Sequence, residues 1–254
     1  MHCFFINIKK NHSPMKFLSL LILLLPLQLF AQDGIKFTFT CQGKPLELNS
    51  MQYTSAAGLK YQVSQVQYFV SDISVHHTDG TYKEYHDLVH YVDIEIKNTL
   101  TWNADIDLQN ADYITFTFGL DSVQNRSYRF KNPPENAMFW PEYLGGGYHY
   151  MKTNIMYLDS LGQYNAFNCH LGRGQIYNSD NEPVSYIENS VKIRVPYHAN
   201  GSAQQPRYAT INLDISKLFD KPNAAKFTDY RGIMNNQTAM SLFLVNIAQA
   251  FSEK

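Results

Sequence analysis

The feature that most constrains this chain is a run of short segments in which apolar and polar residues alternate, each closed by turn residues. Ile35-Lys36-Phe37-Thr38-Phe39-Thr40-Cys41 is the first, and Gln42-Gly43-Lys44-Pro45 turns it. Ile114–Phe118, Val191–Val195 and Ala209–Ile215 repeat the pattern. A period of two puts alternate side chains on opposite faces, so each segment reads as a half-buried strand. Tyr61–Val75 is longer and its phase shifts once, which predicts a bulged strand or two short ones. His76-His77-Thr78-Asp79-Gly80 then turns the chain into a return strand over Tyr85–Ile96. Met151–Leu158 and Tyr164–Leu171 form a further hairpin, and Trp102–Asn110 reads as a connection. Helical spacing occurs once, in Met240, Phe243, Leu244, Ile247 and Phe251, behind an asparagine N-cap at Asn235 or Asn236. The fold class expected is all-β: a β-sandwich of about nine or more strands with one C-terminal helix.

The N-terminus has another character. Met15-Lys16 precedes an apolar run from Phe17 to Leu25, then Pro26 and a small-residue exit at Ala31. This is the layout of a secretory signal peptide over residues 1–31, with translation starting at Met1 or Met15. The run is too short for a membrane span. A single domain over 32–254 is expected to remain, exported to the periplasm, the cell surface or beyond. In an oxidising compartment Cys41 and Cys169 could join in one disulfide or stay as two buried thiols. Net charge is −1 with no basic run, which leaves a nucleic-acid partner without electrostatic support.

Candidate chemistry gathers in Met138–Met151 and in Asn168–Gly172. The first stretch holds Trp140, Gly145-Gly146-Gly147, His149 and Met151; the second holds Cys169 and His170. If Tyr148–Met151 is a strand, His149 and Met151 share a face. Two imidazoles on paired strands with a thioether nearby would suit copper. The plainer reading is a pair of hydrogen-bonded histidines at an aromatic core edge. His86 and His90 would lie about 13 Å apart on one strand face, too far to share an ion. His76 and His77 fall in a turn, and His198 in a loop. No nucleophile elbow, metalloprotease motif, Cys-x-x-Cys pair or phosphate loop occurs, so an enzyme is not expected.

The ordered motifs Gly43-Lys44-Pro45-Leu46, Val66–Ile73, Asp79-Gly80, Phe118-Gly119-Leu120-Asp121 with Asn125, Met138-Phe139-Trp140, Gly147-Tyr148-His149, Cys169-His170-Leu171-Gly172 and Ile233-Met234 resemble the MbnP-like family. That family is named for the methanobactin-cassette partner protein and is related to copper-repressible surface proteins. The resemblance covers residues 35–251. It implies an extracytoplasmic β-rich protein, in some members one that binds copper through histidines and an oxidised tryptophan, kynurenine. It also implies a dihaem peroxidase-like partner that performs the oxidation. Carried onto this chain, it marks His149 and His170 as ligands of copper, with Cu(I) favoured. Met151 and Met138 are softer candidates, and Trp140 is the neighbour or oxidation target. The family's Trp-x-Trp reads Trp140-Pro141-Glu142 here, so a kynurenine at the second position has no precursor. Asn235-Asn236 stands where many members place a histidine. The competing expectation is a metal-free surface module that binds a protein or glycan through Phe139, Trp140, Tyr143, Tyr148 and Tyr150.

Overall fold

Strand β4, Lys60–His77, is the axis of the molecule. Its 18 residues exceed the usual strand length, and register shifts near Ser64 and Asp72 let it bend. It pairs with four neighbours: β3 (Tyr53–Thr54), β5 (Tyr82–Asp93), β7 (Ala111–Phe118) and β8 (Met151–Leu158). Beyond them lie β12 (Val191–Pro196) on β7 and β9 (Tyr164–Leu171) on β8, completing a seven-stranded sheet. A second sheet of five strands contains β1 (Asp33–Cys41), β2 (Lys44–Pro45), β6 (Thr101–Ile106), β13 (Tyr208–Asp214) and β14 (Phe251–Glu253). Within it β1 and β13 run parallel. A small hairpin, β10 (Gly174–Tyr177) with β11 (Pro183–Ile187), stands apart. The computed structural model describes residues 32–198 and 206–254, so the signal segment expected over 1–31 lies outside the described residues.

The two large sheets pack through aromatic rings. Phe37 and Phe39 of β1 meet Tyr68 of β4 edge-on at 6.1 and 6.2 Å, and Phe251 of β14 reaches Tyr68 and Phe118. Each such ring contributes about 1.5–3 kcal/mol by leaving water. This is the sandwich expected from the alternation, and Ala31–Lys254 form one compact unit. The C-terminal helix α2, Gln237–Ala250, starts where expected: the Asn236 side chain accepts from Ala239 N at 2.9 Å. Phe243 seats it against Phe167 and Phe219. No helix among the described residues is long and apolar enough to cross a membrane.

Two expectations need correction, and one element was not anticipated. A second helix, α1 (Ile215–Asp220), follows β13 directly, because the Asp214 carboxylate caps Ser216 N at 3.0 Å and stops the strand. The segment from Trp102 is a strand, not a connection. Trp102, Ala104 and Ile106 alternate, but small Ala104 and charged Asp105 mute the signal. The β10–β11 hairpin, over which the sequence analysis placed no element, is mostly exposed, and its Ile176, Val184 and Tyr186 do not form a buried face.

Candidate metal centre

The segment from Pro134 to Tyr150 is a loop of two short 3-10 turns, Glu135–Met138 and Glu142–Leu144, followed by three glycines with φ of 108°, 63° and 85°. Left-handed backbone of this kind suits glycine. At Gly147 there is also no room, since a Cβ would lie 2.2 Å from Asn125 Oδ1, the atom that accepts from Tyr148 N. Behind the loop, Tyr150 OH accepts from Asn125 Nδ2 at 2.9 Å and donates to Glu188. Arg173 pairs with Glu188 at 2.6 Å and donates to the carbonyls of Gly145 and Asn125. A closed polar network thus sets the loop's path.

His149 therefore does not sit in a strand. Pairing of β8 begins only at Met151, because the glycine turn bends the chain through Tyr150. The imidazole is buried, and its Nδ1–H donates to the Met138 carbonyl at 2.9 Å, the carbonyl that also accepts from His149 N. A carbonyl cannot donate, so the tautomer follows: the proton is on Nδ1 and the lone pair on Nε2. Nε2 is buried with no hydrogen-bond partner. Trp140, fully buried, presents its ring edge-on at 4.7 Å, its indole N–H donating to Leu144 O. Gly172 makes room for that indole, as a Cβ there would lie 2.6 Å from the ring.

His170 comes from β9 and its ring centroid lies 5.2 Å from that of His149, the planes at 82°. Its Nε2 contacts Asn154 Oδ1 at 2.8 Å, while Asn154 Nδ2 donates to Gln65 Oε1. With the amide oxygen turned to the ring, Nε2 carries the proton and Nδ1 the lone pair. Burial and the neighbouring Lys152 push the His149 pKa down to about 3 and that of His170 to about 4. Both rings are neutral near pH 7, each with one lone pair. An imidazole nitrogen binds a transition-metal ion at about 2 Å, so rings 5.2 Å apart are within reach of one ion.

The two histidines singled out in the sequence thus meet, though one arrives on a loop. The thioethers fare differently. Met151 pairs with Leu171 in register, on the core face of β8, whereas His170 points to the other face of β9. The bend at Tyr150 breaks the alternation that would have kept Met151 beside His149. Met138 is buried, and what it brings to His149 is its main-chain carbonyl. Cys41 and Cys169 are free buried thiols on different sheets. Cys41 Sγ lies 3.3 Å from Tyr61 OH, and burial raises both thiol pKa values, that of Cys41 to about 12. Among the described residues no group of three or more His, Cys, Asp or Glu side chains is placed to hold a metal. The remaining described histidines are engaged singly: His90 between Phe37 and Trp102, His76 between Tyr82 and Tyr113, His77 on the Gln109 carbonyl, His86 on Glu84 and His198 on Glu253.

The aromatic face proposed from sequence is not a face. Trp140, Tyr148 and Tyr150 are core residues, leaving half-buried Phe139 and exposed Tyr143. Sequence reasoning missed Lys152 and Asn154. On β8 they alternate with Met151 and Thr153, the period that could have found them, and so share the His170 side.

The MbnP family model matches residues 32–240. Among solved structures, MbnP from Methylosinus trichosporium has a TM-score of 0.50 at 12% identity, covering 79% of this chain and 79% of its own, a likeness of fold. Comparison with curated protein sequences gives no match. With the match extending over most of its length, this chain belongs to the MbnP family.

Proposed function

We propose that the protein is an extracytoplasmic copper-binding protein, a binder rather than an enzyme, that holds one Cu(I) ion between His149 Nε2 and His170 Nδ1. The observation that carries this reading is the orphaned nitrogen of His149. A buried acceptor without a partner costs about 1–3 kcal/mol, and a second lone-pair imidazole stands 5.2 Å away. Two neutral nitrogens with no thiolate or carboxylate fit an ion content with few ligands. They fit poorly the closed four-coordinate site of structural zinc. When bound, copper would supply a soft, redox-active centre beside Trp140; the chain's own part is to keep both rings neutral, oriented and dry. Family membership supports a copper-related role outside the cytoplasm, in acquisition, storage or handling. A dihaem peroxidase-like partner belongs to the same proposal, with Trp140 as the tryptophan beside the histidines.

Titration of the protein spanning residues 32–254 with Cu(I), against a chromophoric chelator, is expected to give one site per chain. His149→Ala with His170→Ala should weaken it by about 100-fold or more. Unchanged stoichiometric binding in the double variant, or none in the parent, sinks the reading.

One observation favours a second, metal-free reading. Tyr128, Phe130, Lys131, Asn136, Phe139 and Tyr148 line a cleft of about 380 Å³, the remnant of the aromatic face. In that reading a protein or glycan partner docks there. Loss of partner capture in Phe139→Ser, with metal content unchanged, would support it.

A further inference from the structure

Lys152 stands opposite His170 in the β8–β9 register, on the same face. Its Nζ donates to the Ala137 carbonyl at 2.5 Å, one residue before the Met138 carbonyl that orients His149. The ammonium is thus strapped from the strand to the loop, next to both rings. No carboxylate acts on either imidazole, and Lys152 is the charged side chain that both feel.

We infer that Lys152 is a charge filter on the His149–His170 site, one that admits a monovalent ion in preference to a divalent one. The inference rests on the copper reading above and deepens it. Protein sites for divalent ions commonly bring anionic ligands that offset the ion's charge. Here the nearest formal charge is positive and partly shielded from water. Coulomb repulsion scales with the product of the charges, so a divalent ion is opposed twice as strongly as a monovalent one. Two neutral imidazoles alone would take zinc or copper. The fixed ammonium tips that choice towards Cu(I).

The consequence is quantitative. Lys152→Met keeps the aliphatic stem and removes the charge; Ala137 is exposed, so water can replace the lost donor. If the Cu(I) affinity rises by a factor f, the Zn(II) affinity should rise by about f squared: about 5-fold for the first implies about 25-fold for the second. Both ions have filled d shells, which keeps ligand-field preference out of the comparison. Lys152→Arg, which retains the charge, should leave the ratio near that of the parent. Competition titrations of the three proteins with Cu(I) and Zn(II) measure these ratios. Equal shifts for the two ions, no shift for either, or Arg behaving like Met would overturn the inference while leaving the copper site standing. A parent protein that binds neither ion would bring down the site itself, and the filter with it.

Discussion

Among the described residues two histidines pack against tryptophans, His90 on Trp102 half-buried and His149 on Trp140 buried, and they are built to opposite ends. His90 lies flat between Phe37 and Trp102, with ring centroids at 5.6 and 4.8 Å, and its Nε2–H donates to the Thr99 carbonyl. His149 meets Trp140 edge-on at 4.7 Å, and its Nε2 has no partner. Burial lowers both pKa values, so both rings are neutral, but only His149 also feels Lys152 and a second imidazole. Composition alone does not distinguish the pairs. What separates packing from a site is whether a lone pair is left over and what it faces. In the first pair the ring serves as a flat hydrophobic plate with one satisfied donor. In the second, a carbonyl fixes the proton on one nitrogen and leaves the other buried without a partner, in a ring 5.2 Å from a second imidazole.

The sharpest way to break this comparison is to truncate each histidine separately. His149→Ala should remove Cu(I) binding and cost the apo-protein about 2–3 kcal/mol, the cavity it leaves beside Trp140 being partly offset because an unsatisfied polar atom leaves with the side chain. His90→Ala should leave Cu(I) binding intact and cost about 1–2 kcal/mol, since the half-buried ring leaves a gap between Phe37 and Trp102 that water can enter and the Thr99 carbonyl can accept from water instead. Paired chemical denaturation and copper titration check both; equal copper loss in the two variants would erase the distinction.

Acid offers a second, smaller test. An unfolded histidine titrates near 6.5, whereas folded His149 and His170 titrate near 3 and 4. Their folded pKa values are depressed, so the neutral forms contribute fully above pH 6.5. As pH falls below that, the unfolded chain takes protons first and the fold loses stability. The loss between pH 6.5 and 4 should be on the order of 4 kcal/mol for the two together. In the His149→Ala, His170→Ala variant the slope of stability against pH should flatten over that window. His90→Ala should flatten it less, lacking the lysine's contribution. The smallest effect concerns Met151. Because it packs on the core face opposite Leu171, Met151→Leu should change Cu(I) affinity by less than about twofold and stability by less than about 1.5 kcal/mol. A tenfold loss of copper affinity would return the thioether to the ligand set.

Strand identity was legible because period-two alternation survives wherever one face of a sheet is buried, as at Ile35–Cys41 and Ile114–Phe118. It failed where burial is slight, in the β10–β11 hairpin, and where small Ala104 weakens the pattern. The helix cap at Asn236 was legible because capping is local. The histidines could be picked out by type and by their glycine neighbours, but their partners could not. Met151 was misplaced for one reason: three positive-φ glycines and the Asn125–Tyr150–Arg173–Glu188 network bend the chain, and alternation cannot be counted across a bend. Lys152 was passed over because one lysine in a strand looks like any solvated charge until its register is known.

The sequence by itself determined that this chain alternates into strands, closes with a capped helix, and carries His149 and His170 beside glycines that permit tight turns. These are properties of neighbours along the backbone, where sterics and periodicity act. Only the tertiary structure decided that the two rings lie 5.2 Å apart and that the Met138 carbonyl leaves Nε2 of His149 unpaired. It also set an ammonium beside them. Those facts depend on which strand pairs with which, and in what register, and pairing is chosen by burying the whole core at once rather than by any residue near the site.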